Sequence, residues 1–114
     1  MAKSKIPDPL TRRHLIEKAM AEAQSLRLAE AYLEEGRDYE AIEFLLKADA
    51  RDHLVRLRTA AVAAGDAFML RAAANALEEP PHRAEWLSLA KAAEAAGRDR
   101  CAAEATRQAD RRDD

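Results

Sequence analysis

Apolar residues recur every three or four positions along most of the chain, a spacing that places them on one face of an α-helix. Between Leu10 and Glu35 no glycine or proline interrupts this spacing. We predict here either one helix of about 26 residues or two helices that meet near Gln24-Ser25. Between the later breakers the pattern predicts five more helices, at about 38–49, 53–64, 66–79, 82–96 and from 99 onward.

Each of the 3 glycines follows a predicted helix and precedes an aspartate by one or two residues. Glycine readily takes the left-handed conformation that ends helices, and aspartate caps the free N–H groups that begin the next one. The pairs are Gly36 with Asp38, Gly65 with Asp66, and Gly97 with Asp99. Because the glycines stand 29 and 32 residues apart, they predict an internal repeat of αα-hairpins. Such hairpins stack, since one alone cannot bury its apolar face.

The composition favours the same all-α fold. Alanine, the strongest helix former, accounts for 28 of the 114 residues, and aromatic residues make up only 4%. No alternating run rich in β-branched or aromatic side chains predicts a strand. At this length we expect a single helical repeat domain over residues 10–112. Residues 1–9 would form a flexible N-terminal arm, and residues 113–114 a disordered tail.

The unit SLRLAEAYLEEGRDYEAIEFLLKAD, residues 25–49, has a large, small and aromatic series before its glycine and small residues after it. The units at 54–78 and 86–110 align with it on their glycines. The positions that carry the pattern are Leu28, Ala29, Tyr32, Gly36, Ala41 and Ala48 in the first unit, and Trp86, Leu89, Ala90, Gly97, Ala102 and Ala109 in the third. Over residues 22–112 the chain thus resembles the tetratricopeptide repeat (TPR). The middle unit departs from that family at Arg58 and Leu70, where the family has small residues, and another type of αα-solenoid stays open.

The resemblance implies a superhelix of about three hairpins with an N-terminal helical extension. In the family, the first helix of each hairpin lines a concave groove that binds a partner. Carried over by position, the groove residues are Leu26, Glu30, Leu33, Glu34, Val55, Thr59, Val62, Leu87, Lys91 and Glu94. The floor of this groove would be apolar, so the expected guest is a helix or an extended apolar segment of a partner protein.

The N-terminal extension carries an apolar face of its own, formed by Leu15, Ile16, Ala19 and Met20. Nothing adjacent in the sequence covers this face, although the end of a helical repeat array needs a polar surface. Either the segment folds back on the first hairpin, or it forms the seam of a homodimer.

Charge is uneven along the chain, whose formal net charge is −2. Residues 1–18 carry a net charge of +3, and residues 22–52 one of −5. We interpret this either as a solvated helical surface or as a basic arm that docks on an acidic repeat of the same or a neighbouring subunit. A near-neutral domain is a poor general ligand for nucleic acid, since phosphate neutralisation supplies most of that affinity.

No group of residues predicts catalysis or a cofactor. His14, His53 and His82 lie far apart without metal-ligand spacing, and Cys101 falls on an alanine-rich face where we expect a buried, inert thiol. The start of the chain lacks an apolar signal region, and no apolar run is long enough for a membrane span, so we expect a soluble, cytoplasmic protein. We therefore predict a non-enzymatic adaptor or scaffold that binds a protein or peptide partner. The alternative is a self-assembling structural subunit, joined through its N-terminal helix.

Overall fold

The computed structural model describes residues 8–112, which form six α-helices and no strand, so the predicted all-α fold is confirmed. The helices are α1 (Pro9–Glu34), α2 (Asp38–Lys47), α3 (Arg51–Ala64), α4 (Ala67–Leu77), α5 (Arg83–Ala95) and α6 (Asp99–Asp110). Consecutive helices pack in pairs as hairpin 1 (α1 and α2), hairpin 2 (α3 and α4) and hairpin 3 (α5 and α6). Residues 1–7 of the predicted arm and the predicted tail at 113–114 lie outside the described residues.

Helix α1 is continuous over 26 residues, which decides between one long helix and two shorter ones. The start of α1 is capped by a side chain, and a proline follows the capping residue. Asp8 precedes the first turn and accepts a hydrogen bond from the Thr11 N–H group at 2.8 Å, and Pro9 takes the first helical position. Because α2 has only 10 residues, more than half of α1 extends beyond the end of its partner.

All five turns between helices close with the same pair of backbone hydrogen bonds. In each, a residue with positive φ donates its N–H group to the carbonyl three residues earlier, and the next residue donates to the carbonyl five residues earlier. Gly36, Gly65 and Gly97 fill this position inside the three hairpins. Asp49 and Glu78 fill it between the hairpins, with φ values of 53° and 57°. The glycine turns were predicted, whereas the two acidic ones were not.

The predicted aspartate caps are confirmed at one position and wrong at two. The side chain of Asp66 accepts a hydrogen bond from the Met69 N–H group at 3.1 Å and caps α4. Asp38 and Asp99 instead are the first residues of their helices. The reason is the length of the turn. An arginine separates each of these two aspartates from its glycine and takes the capping position itself, without a side-chain hydrogen bond.

The core consists of two clusters, one at each junction between hairpins. The cluster between hairpins 1 and 2 contains Ala29, Ala41, Ile42, Leu45, Leu54 and Leu77. The cluster between hairpins 2 and 3 contains Ala61, Ala67, Leu70, Trp86, Leu89, Ala90, Ala93, Ala105 and Ala109. Alanine supplies two of the six residues in the first cluster and six of the nine in the second, at positions where a close approach of helices leaves little room for a larger side chain.

The two junctions differ in which helices meet. Hairpins 2 and 3 approach through their first helices, α3 and α5, whereas hairpin 1 meets hairpin 2 through α2, which packs against both α3 and α4. The result is a flat, elongated molecule of 62 × 36 × 13 Å with a radius of gyration of 18.8 Å. No helix within residues 8–112 is long and apolar enough to cross a membrane.

Candidate functional site

The predicted groove residues fall into two groups according to their burial. Leu26 and Leu33 of α1 and Val62 of α3 are half-buried and pack against the core clusters. Val55 and Leu87 keep 43% and 38% of their surface exposed. The polar members, Glu30, Glu34, Thr59, Lys91 and Glu94, are all exposed. Two apolar side chains of the predicted groove floor are thus available to a partner.

These two side chains lie on helices that run side by side in the same direction. Arg58 of α3 bonds Glu85 of α5, and Gly65 at the end of α3 lies against Ala93 near the end of α5. A residue of α3 therefore lies beside the residue of α5 that is 27 or 28 positions later in the sequence. By this spacing Thr59 and Leu87 lie at the same height along the two helices. The helices α3 and α5, which carry the second and third sets of predicted groove residues, pack against each other, whereas α1, which carries the first set, packs mainly against α2.

A buried ionic network fixes the position of α3 against α5. Arg58 is 7% exposed, and its Nε and Nη2 atoms donate to the two carboxylate oxygens of Glu85 at 2.7 and 2.6 Å. Nη1 donates to the Glu79 carbonyl at 2.7 Å, and Nη2 to the Pro80 carbonyl at 3.2 Å. Glu85 also accepts the backbone N–H of His82 at 2.9 Å, which caps α5. Arg58, one of the two positions at which the middle unit departs from the TPR pattern, therefore forms the polar joint between hairpins 2 and 3.

The same network shifts the ionisation of both partners in the direction that favours their charged forms. The hydrogen bonds from Arg58 lower the pKa of Glu85, and those to Glu85 raise the pKa of Arg58, although burial opposes both shifts. Both side chains are therefore charged at neutral pH. Their role is structural, because they join α3 to α5 and both carboxylate oxygens of Glu85 are occupied by hydrogen bonds from Arg58.

The N-terminal stripe, defined as Leu15, Ile16, Ala19 and Met20, is exposed along its length. Leu15, Ile16 and Met20 keep 55%, 49% and 66% of their surface accessible, and Ala19 is exposed as well. The stripe lies on the part of α1 that extends beyond α2. Since α1 is one continuous helix, the stripe does not fold back on hairpin 1, and the alternative that required this is wrong.

A second exposed apolar surface was missed from the sequence. The aromatic cleft is a cavity of about 660 Å³ between hairpin 1 and α4. It is lined by Tyr32, Tyr39, Glu40, Ile42, Glu43, Phe44, Leu46, Ala72, Asn75 and Ala76. The rings of Tyr32 and Phe44 stack at 5.5 Å, and those of Tyr39 and Phe68 meet at the edge of the cleft at 5.0 Å. Tyr39, Leu46 and Phe68 are all more than half exposed.

The sequence does contain a pattern from which this cleft could have been predicted: aromatic residues occupy equivalent positions in the first two hairpins. Tyr39 and Phe68 are each the third residue after a hairpin glycine, and they meet because α2 and α4 lie side by side. In hairpin 3 the same position holds Arg100, so the pair of rings belongs to the first two hairpins alone.

Other reactive side chains do not assemble into a site. Within residues 8–112 no three His, Cys, Asp or Glu residues are grouped so as to hold a metal ion. Cys101 is half-buried rather than fully buried, and its Sγ donates to the Gly65 carbonyl at 3.2 Å. The sequence matches no protein-family model, no curated protein and no solved structure.

Proposed function

We propose that this protein is a TPR-like interaction module that binds a helix or peptide of a partner protein. The observation that carries the proposal is the shape of the chain. Its radius of gyration is 18.8 Å, whereas a compact domain of about 100 residues has one of about 13 Å. A chain this extended leaves much of its apolar surface for other molecules to cover.

The accessible surface supports the same conclusion. It amounts to 8157 Å², whereas a compact monomer of 12.6 kDa exposes about 6,200 Å². A standard protein interface takes roughly 800 Å² from each partner. The excess of about 1,950 Å² is therefore a little more than the area of two such interfaces, and large apolar side chains contribute to it.

The binding surface that we assign to the partner lies on α3 and α5. Val55 and Leu87 supply exposed apolar contacts, and Thr59, Lys91 and Glu94 supply a polar rim on the same helices. An apolar strip with a polar rim fits the apolar face of an amphipathic helix. Binding of this kind requires no cofactor, nucleic acid or membrane, and we propose a cytoplasmic setting for it.

The test is selection of helical peptides from a displayed library against the full chain, followed by titration of the enriched peptides. We expect apolar, helix-forming peptides whose affinity falls at least tenfold for Val55→Glu/Leu87→Glu. These two positions are chosen because they are exposed, whereas Leu26 and Val62 contribute to the core. Leu28→Glu, at an apolar residue 43% exposed on α1, is the matched control and should bind normally. Enriched peptides that bind both variants equally would contradict the assignment.

A second candidate function is self-assembly through the N-terminal helix, giving a homodimer or higher oligomer. The specific observation in its favour is the exposed N-terminal stripe, which α2 is too short to reach. Three large apolar side chains within six residues form the type of patch that marks a protein interface. Light scattering after size-exclusion chromatography tests it, and a strict monomer would contradict it.

A further inference from the structure

We propose that the aromatic cleft is the receptor for the N-terminal stripe of a second copy of this chain, and that two copies exchange these elements in a closed dimer. The proposal makes the self-assembly candidate specific and rests on it. Each copy would offer one stripe and one cleft, so a twofold axis pairs both and leaves neither exposed.

The stripe has the form of a docking helix. Its residues follow the spacing i, i+1, i+4 and i+5, which places their side chains on one face of α1. That part of the helix is already ordered by the continuous backbone of α1, so docking costs little conformational entropy.

The cleft has the complementary form and chemistry. Its volume of about 660 Å³ is room for several aliphatic side chains, and its lining is mostly apolar. Tyr39, Leu46 and Phe68 remain 56%, 54% and 62% exposed in the single chain. Exposed aromatic rings around a concave apolar site are typical of the residues that dominate protein interfaces.

Charge distinguishes this pairing from contact between two stripes. Residues 10–22 around the stripe carry three basic residues, Arg12, Arg13 and Lys18, against two acidic ones, Glu17 and Glu22. Arg13 pairs with Glu17 at 3.4 Å and Lys18 with Glu22 at 3.7 Å, both on the exposed surface, so the segment keeps a net positive charge. The charged side chains that line the cleft are Glu40 and Glu43. Arg37 pairs with Glu40 at 3.5 Å and Lys47 pairs with Glu43 at 3.3 Å. Both ion pairs lie on the exposed surface, where such pairs are weak. A basic stripe and an acidic cleft attract, whereas two copies of the stripe bring like charges together.

The stripe in the cleft must come from another chain. Tyr32 lines the cleft and lies on the same continuous helix as Met20, about 18 Å farther along its axis. The rigid helix therefore holds each stripe away from its own cleft. Exchange between two copies avoids this constraint and doubles the buried area, because each contact occurs twice.

Sedimentation velocity of the full chain and two double variants tests the proposal. One variant, Leu15→Glu/Met20→Glu, removes the stripe, and the other, Tyr39→Glu/Phe68→Glu, removes the cleft. All four positions are exposed, so both variants should keep the helical circular dichroism spectrum. We expect a dimer for the wild type and for the Leu28→Glu control, and monomers for each double variant alone.

Mixing the two variants gives the decisive result. One partner retains a cleft and the other a stripe, so a 1:1 mixture should form a dimer through a single intact contact, at least tenfold weaker than the wild-type dimer. A wild-type monomer at every concentration would remove self-assembly altogether. A dimer that survives the cleft variant, or two monomeric variants that fail to associate when mixed, would overturn the cleft assignment alone.

Discussion

Arg58 and Glu85, 27 residues apart in sequence, form a two-pronged ion pair in which each carboxylate oxygen accepts one guanidinium N–H. The arginine side chain is 8% exposed and that of the glutamate 24%. Arg58 also binds the carbonyls of Glu79 and Pro80, so one side chain joins α3, the α4–α5 connection and the start of α5. This joint sets the register of the two helices on which we place the binding surface.

Arg58→Ala is expected to lower the free energy of unfolding by about 2–4 kcal/mol, because it leaves a partly buried carboxylate and two carbonyls without their donor. Arg51→Ala is the matched control. Arg51 also lies on α3 and pairs with an acid 28 residues later, Glu79, but both side chains are 55% exposed. That loss should be below about 1 kcal/mol. Urea unfolding measures the free energy of unfolding of both variants. Equal decreases would contradict the prediction that the buried pair of Arg58 contributes more than the exposed pair of Arg51.

The lowered pKa of Glu85 predicts how stability depends on pH. The folded chain holds this carboxylate charged below its ordinary pKa of 4.5, so its contribution is complete above that value and is lost as the pH falls through the folded pKa. Glu85→Gln should therefore destabilise the protein most at neutral pH, and the difference from the wild type should shrink as the pH falls below 4.5. Urea unfolding at a series of pH values tests this, and a constant difference would contradict it.

Glu104 is expected to act in the same direction at lower pH. Hydrogen bonds from Gln108 and then Arg107 lower its pKa to about 2. Its contribution to stability therefore falls as the pH drops from about 4.5 towards 2, but by the same amount in the wild type and in Glu85→Gln, so it cancels in the difference between them. Two-dimensional NMR titration of the glutamate side chains would show it as the carboxylate that protonates last, and a midpoint near 4.5 would contradict its pairing.

Gly65→Ala should destabilise the protein more than Gly97→Ala. Gly65 and Gly97 have φ values of 70° and 76°. Alanine is strained in this left-handed region, so each variant loses a similar amount of stability through the backbone, about 1–2 kcal/mol. A Cβ atom at Gly65 would in addition lie 2.6 Å from the Ala93 nitrogen, whereas one at Gly97 meets nothing within 4 Å. Moving the backbone of α5 away costs further packing. Thermal unfolding compares the two, and equal shifts in Tm would contradict the close approach of α3 and α5.

Glu78→Gly should stabilise the protein by about 0.5–1 kcal/mol, because Glu78 has a φ of 57° that glycine adopts without strain. Asp49→Gly should gain less, since aspartate tolerates this conformation better than glutamate. Ala48→Gly is the control. Ala48 has a φ of −82°, so glycine there brings no relief and should be neutral or destabilising. A loss of stability in Glu78→Gly would show that its side chain has a role that the backbone argument omits.

The helices and the hairpin turns could be predicted because glycine and proline mark them directly. Asp49 and Glu78 could not, since their left-handed conformation follows from helix ends that must reverse direction, and residue type alone does not report it. Asp38 and Asp99 were predicted as capping residues but are the first residues of their helices. The turn before each contains one more residue than the turn before Asp66, and that arginine occupies the capping position.

The candidate surfaces divide in the same way. The stripe that contains Leu15 and Met20 could be located from its spacing, but its exposure could not be predicted, because folding back on hairpin 1 is excluded only by the continuous backbone of α1. The aromatic cleft depends on how α2 packs against α4, which brings Tyr39 beside Phe68 across 29 residues. The half-burial of Leu26 and Val62 likewise depends on packing between hairpins. Periodicity identifies which face of a helix is apolar, but only the neighbouring helix decides how much of that face remains open.

The most direct test of the proposed function is an NMR titration of the 15N-labelled full chain with a helical peptide selected for binding to it. We expect the largest amide shift changes at Val55, Thr59, Leu87 and Lys91, and we expect Val55→Glu/Leu87→Glu to abolish them. Shift changes confined to other surfaces, with α3 and α5 unaffected, would contradict the proposal that these two helices bind the partner.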